Sequence, residues 1–180
     1  MYTRKVVYLG VLGGMAFILM GTFSIPILPG APYLRFEPGE IPGIIAACMM
    51  GPWAGVLVNA IKDILYFFLR AVSIFGPMGD FIASASFAFL VGLVYQKFKT
   101  PGGFLAGSII ATVGRVVIMI PGNLIILGMQ FGMTPMEVMD IMLPAIIPFN
   151  LIKSIINAIG AFVIIKLLLE RVPSLIRTPN

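Results

Sequence analysis

The sequence contains no histidine and a single cysteine, Cys48. Without histidine, zinc clusters of the usual Cys/His kind, Cys/His nucleophilic pairs and Ser/His triads are excluded together. A lone cysteine rules out any intramolecular disulfide. No lysine follows the glycine spacing of a phosphate-binding P-loop, so ATP hydrolysis by that route is excluded as well. Charge is also scarce: 11% of the 180 residues are Asp, Glu, Lys or Arg, whereas 59% are hydrophobic, and mean hydropathy is +1.07. A soluble domain of this size could not cover so much apolar side chain, so the composition predicts an all-α, multi-span integral membrane protein forming one domain over 1–180. The net charge of +5 comes without a basic run interleaved with aromatics, so nucleic acid is not an expected partner. It fits the lysine and arginine bias of cytoplasmic membrane edges instead.

A spanning helix needs about 20 mostly apolar residues. That template places six spans at about 4–28, 40–50, 53–72, 79–97, 103–127 and 142–171. The second is short, and Gly51-Pro52 divides it from the third without a polar linker. The first follows Arg4 and Lys5 but lacks a small-residue cleavage site, so it is expected to be retained as a helix. Between spans lie PGAPYLRFEPG at 29–39, with an expected short strand at its centre, a basic turn at 97–102, and a loop of acidic character at 128–141.

Six spans bring both termini to one side. That side carries Arg4, Lys5, Lys97, Lys99, Lys166, Arg171 and Arg177, whereas the other has only Arg35 and Arg70 as cations, with Glu37, Glu40, Asp80, Glu137 and Asp140. Seven cations against two predict cytoplasmic termini and an external 29–39 loop.

Polar residues inside spans are functional candidates because membrane burial makes them costly. In the sixth span, PFNLIKSIIN at 148–157 puts Asn150, Lys153, Ser154 and Asn157 within about 100° on one face. Lys153 lies roughly 10–15 Å below the outer end, where it either snorkels outward or donates to a ligand. In the fifth span, Pro121-Gly122 frees backbone groups that lipid cannot satisfy, so this point faces protein or a cavity, and Asn123 follows it directly. Asn59, Lys62, Asp63 and Tyr66 share a face of the third span, for bonding between helices or for a ligand. Arg115 is expected to snorkel toward the cytoplasm. In the first span Gly10 and Gly14, with Gly13, open a strip where another helix can approach closely, from within the bundle or from a partner.

Four stretches together resemble the substrate-binding S component of energy-coupling-factor (ECF) vitamin transporters, specifically the riboflavin-binding type. They are PYLRFEPGEIPGII at 32–45, MGPWAGVLVNAIKD at 50–63, GDFIASASF at 79–87 and LPAIIPFNLIKSII at 143–156, in the family order. The family's small-residue strip usually reads alanine, three residues, alanine; here both positions, Gly10 and Gly14, are glycine.

The resemblance implies a six-helix bundle in a prokaryotic cell membrane, with an outward-facing pocket covered by the loop between the first two spans. It assigns Asn123, Asn150 and Lys153 to the pyrimidine edge of riboflavin. An asparagine amide offers a donor beside an acceptor, which suits that edge. Tyr33, Leu34 and Phe36 become apolar cover, and Asp80 an acceptor for ribityl hydroxyls. The implied partners are an ECF transmembrane coupling subunit, docking at Gly10 and Gly14, and its two ATPase subunits. Riboflavin is then the transported ligand rather than a cofactor, and no enzymatic activity is expected. The rival readings are an S component for another vitamin, a stand-alone secondary transporter coupled to protons through Asp63, and a membrane enzyme.

Overall fold

A computed structural model describes residues 2–28 and 34–171. Tyr33, expected as pocket cover, lies outside the described residues. The chain folds into helices α1 (Tyr2–Thr22), α2 (Ile41–Met50), α3 (Pro52–Leu69), α4 (Phe75–Phe98), α5 (Pro101–Phe131), α6 (Pro135–Ile141) and α7 (Ile147–Arg171). Among the described residues, five helical stretches are long and apolar enough to cross a membrane: Thr3–Thr22, Pro52–Leu69, Phe75–Phe98, Pro101–Phe131 and Pro135–Leu168. The shorter apolar stretch Pro38–Met50 is the sixth. The six expected apolar segments are therefore present in order, five of them long enough to span and the second shorter.

Local chemistry sets the breaks. The first helix stops at Thr22, not near 28, because Pro26 cannot continue a hydrogen-bonded helix. Instead Ile25–Pro26 forms strand β1, antiparallel to β2 (Arg35–Phe36), with Ile25 opposite Phe36 and Pro26 opposite Arg35. The strand expected within 29–39 is thus real, and its partner is the tail of the first span. Arg35 ties the hairpin down by donating through Nε to Ser24 Oγ at 2.7 Å and through a terminal nitrogen to the Ser24 carbonyl at 2.5 Å. Pro38 opens a 3-10 turn (Pro38–Glu40) that leads into α2. Gly51, at φ 105°, turns α2 directly into α3, a conformation that glycine adopts without a Cβ clash.

Thr100 caps α5 by accepting from the Gly103 amide at 3.0 Å. The 128–141 segment, expected as a loop, contains α6, whose N-terminus is a capping box between Thr134 and Glu137. A π-helical turn, Met142–Ile146, joins α6 to α7 and contains Pro144. Wide turns of this kind inside helical runs are frequent at functional sites.

Three apolar clusters hold the bundle. The largest joins α2, α4, α5 and α7 through residues including Ile44, Phe87, Val91, Phe104 and Ala161. A second seats α1 on α2 and α3 through Ala16, Ala46, Ala54 and Val58. The third, Leu127, Val138, Met142 and Ile146, closes α5 against α6 and the π turn. Large apolar side chains such as Val7, Leu57, Leu93, Ile109, Val117 and Ile159 remain on the outside. A lipid-facing surface accounts for that pattern.

Candidate functional site

α1, α3, α5 and the hairpin all end at one end of the bundle, and α4 and α7 begin there. Between them lies a cavity of about 310 Å³, within the usual range of small-molecule sites, about 300–1,000 Å³. Leu34, Asp80, Asn123, Asn150 and Lys153 all line it, together with Glu37, Tyr66, Arg115 and several apolar side chains. Five of the six residues expected to bind ligand therefore meet at one place. Phe36 is half-buried in β2 and is not part of the wall.

The polar wall is a continuous ionic network. Lys153, 2% exposed, sits among three carboxylates. It pairs with Glu37, with Asp80 at 2.7 Å and with Glu40 at 3.1 Å. Glu37 and Asp80 accept hydrogen bonds from its ammonium, and Glu40 adds an ion-pair contact. Lys153 does not snorkel, and its donors are directed into the bundle. On the far side of Asp80, the buried Lys62 bonds the second carboxylate oxygen and lies 3.5 Å from Asp63. The polar face of α3 is thus an interhelical tie; Asn59 extends it to α4 by donating to the Ser84 carbonyl at 3.4 Å.

Arg115 does not snorkel either. It is 1% exposed, with its terminal nitrogens on Glu40 at 2.7 and 3.0 Å and its Nε on Asn150 Oδ1 at 2.8 Å. The physical reason is its depth. It stands fourteen residues after Pro101 and sixteen before Phe131, roughly 20 Å from either end of α5, too far for a side chain to reach water. Glu37 and Glu40, counted from sequence among outer-surface charges, are likewise buried. Sequence reasoning missed this Arg115–Glu40–Asn150 group; the available signal was an arginine at the centre of an otherwise apolar span.

Four acidic side chains thus face three basic ones: Glu37, Glu40, Asp63 and Asp80 against Lys62, Arg115 and Lys153. Glu37 lies between the first span and Pro38–Met50, outside both, and burial pushes its carboxyl up to about 8 against the opposing pull of Lys153.

The remaining polar candidates divide. Asn123 is half-buried and donates Nδ2 to the Met119 carbonyl at 2.7 Å, one turn back along α5. Ser154 and Asn157 are fully buried but lie outside the cavity wall. Gly10 and Gly14 are remote from the cavity. A Cβ at either would meet nothing within 4 Å, so these two do not pack inside the bundle. Gly13 does, because a Cβ there would fall 2.5 Å from Ile61 Cγ2.

The sequence and the fold both have counterparts among known proteins. The profile of the family described as "ECF transporter, substrate-specific component" matches residues 4–165. Riboflavin transporter RibU of Staphylococcus aureus (strain TCH60) is 30% identical over 163 residues, 87% of this chain and 85% of that protein. Riboflavin transporter FmnP of Bacillus subtilis (strain 168) is 27% identical over 179 residues, 93% of each. Among solved structures, the S component of a bacterial ECF transporter superposes with a TM-score of 0.83 at 27% identity, covering 97% of this chain and 99% of that one. The S component for biotin from an ECF-type ABC transporter has the same fold, with a TM-score of 0.65 at 21% identity over 92% of each chain. With the six-helix bundle and most of its length matched, the chain belongs to the family of ECF transporter substrate-specific components.

Proposed function

We propose that this protein is the riboflavin-binding subunit of an ATP-driven vitamin uptake system in a prokaryotic cell membrane. The observation that carries the proposal is the convergence of Asn123, Asn150, Lys153 and Asp80 on one cavity. Two relatives that match along most of the chain are named riboflavin transporters. Amides from α5 and α7 suit the carbonyl and N–H edge of the isoalloxazine ring. Asp80 and Glu37 offer oxygens to ribityl hydroxyls. Lys153 reaches a ring carbonyl by exchanging one of its three carboxylate partners for it.

Both termini lie in the cytoplasm, which puts the cavity and the hairpin on the outer side. The open strip at Gly10 and Gly14 receives the transmembrane coupling subunit, which works with two ATPase subunits. Helices in lipid gain little from apolar burial against each other, so close packing over small residues drives such docking.

The experiment is a fluorescence titration of riboflavin with the purified protein in detergent. Saturable quenching at one site per chain is expected. Absence of quenching, with saturable binding of another vitamin, would replace riboflavin by that vitamin. Uptake into proteoliposomes holding this chain alone would favour a stand-alone transporter.

A further inference from the structure

The two asparagines on the cavity wall are held differently. Asn150 Oδ1 accepts from Arg115 Nε at 2.8 Å, and Asn150 Nδ2 donates to the Ile146 carbonyl at 2.9 Å. An amide nitrogen carries two hydrogens, so one N–H of Asn150 remains for something else. In Asn123 the Nδ2 donates to Met119, a bond that leaves its oxygen uncommitted.

Which way the Asn150 amide faces is decided by Arg115. A guanidinium only donates. It is also planar, so binding Glu40 through both terminal nitrogens fixes the direction of Nε–H. Turning the amide over would set its NH₂ against that N–H, in a place where neither group has water to turn to. Asn150 is 4% exposed and Arg115 1%.

We infer that Arg115, clamped by Glu40, is a positioning residue that locks the Asn150 amide with its oxygen inward, so that the site offers an N–H there and selects a ligand carbonyl. The inference rests on the riboflavin reading, since a flavin's pyrimidine ring presents carbonyls on either side of an N–H. Asn123, with a free oxygen, then serves as the complementary acceptor. The polarity of the ligand edge is thus set from within the bundle, by a residue one step removed from it.

Arg115→Lys keeps a cation opposite Glu40, but its rotatable ammonium lacks the planar fork that fixes a donor on Asn150. Riboflavin affinity should fall about 2–10-fold, the range for one misdirected neutral hydrogen bond. In a double-mutant cycle, Asn150→Ala should cost less in the Arg115→Lys background than in wild type, because the two act through one contact. Infrared difference spectra of bound riboflavin with ¹³C-labelled carbonyls supply a readout that a purely structural role would not move. One carbonyl stretch should rise in frequency in Arg115→Lys and in Asn150→Ala alike. Asn150→Asp is the second variant: it keeps an oxygen for Arg115 but has no N–H to give. It also loses the bond to Ile146, so its melting temperature should drop; binding is read on the folded fraction, and riboflavin affinity should fall at least 5-fold.

Additive losses in the cycle, or unchanged carbonyl bands, would overturn the inference while leaving riboflavin as the ligand. Tight riboflavin binding by Asn150→Asp would overturn it too, and decides the matter alone where Arg115→Lys does not fold. Failure of the wild-type protein to bind riboflavin would instead remove the reading on which the inference rests.

Discussion

Lys153 of α7 and Asp80 of α4 meet at 2.7 Å across the floor of the cavity. Each has a second charged partner, so neither charge is left alone when the other moves. Lys153→Ala should weaken riboflavin binding by about 5–150-fold, the cost of one buried hydrogen bond lost with its partner unsatisfied. Asn150→Ala should fall in the same range. Fluorescence titration of the two variants checks this, and wild-type affinity in both would remove them from the site.

Arg115→Ala is expected to act on stability first. Removing one partner of a buried ion pair costs about 3–5 kcal/mol because the other charge is left uncompensated. Here that charge is Glu40, 1% exposed, which would keep only its 3.1 Å contact with Lys153, itself shared with two other carboxylates. Thermal unfolding in detergent should show a large drop for Arg115→Ala and a smaller one for Arg115→Ala/Glu40→Gln, which removes both charges. Equal drops would mean that packing around the guanidinium, not its charge, is what matters.

The raised Glu37 carboxyl makes a pH prediction. An ordinary glutamate releases its proton near 4.5, whereas Glu37 in the fold holds it to about 8. Between those values the folded chain binds more protons than the unfolded one, so this contribution is complete at low pH and fades as pH rises through the window. The slope is at most about 1.4 kcal/mol per pH unit. Melting temperature should decline with pH more steeply in wild type than in Glu37→Gln. Parallel curves would mean that Glu37 titrates where free glutamate does.

The first helix permits a separation of functions. Gly10→Leu and Gly14→Leu project into open space, so riboflavin affinity should stay near wild type. Co-purification with the energising subunits and ATP-dependent uptake should be lost. Gly13→Leu should instead destabilise the bundle, because it meets Ile61. Loss of riboflavin binding in Gly10→Leu with assembly intact would make the strip part of the ligand-holding fold.

Membrane sidedness is testable with single cysteines in a Cys48→Ser background. Val72 is fully exposed between α3 and α4, at the cavity end. Lys97 is exposed at the opposite end of α4. An impermeant thiol reagent applied to intact cells should label Val72→Cys and spare Lys97→Cys. The reverse pattern would invert the topology.

The spans were legible in the sequence because membrane burial leaves so few polar exceptions; Asn150 and Lys153 stood out for that reason. What escaped was pairing over distance. Arg115 and Glu40 are 75 residues apart, and nothing local in either stretch announces the other. Treating Glu37 and Glu40 as surface charges followed from their place beside a turn-rich loop, a position that ordinarily means water. The 3-10 turn at Pro38–Glu40 reverses it by tucking both carboxylates under the hairpin.

Among the described residues, the polar network draws side chains from α3, α4, α5, α7 and the 3-10 turn, but none from α1. Hydrogen bonds have direction and hold their helices in register, whereas the contacts of Ala16 with its neighbours do not. α1 can therefore slide or tilt against the other helices without breaking an ionic bond. It is seated tightly at two glycines: its own Gly13 against Ile61 of α3, and Gly39, where a Cβ would come within 2.8 Å of the Ala16 carbonyl. Gly39 stands beside Glu40 and two residues from Glu37. A partner pressing on the outer face of α1 would thus transmit its force to the two glutamates that grip Lys153 and Arg115, and through them to whatever the cavity holds.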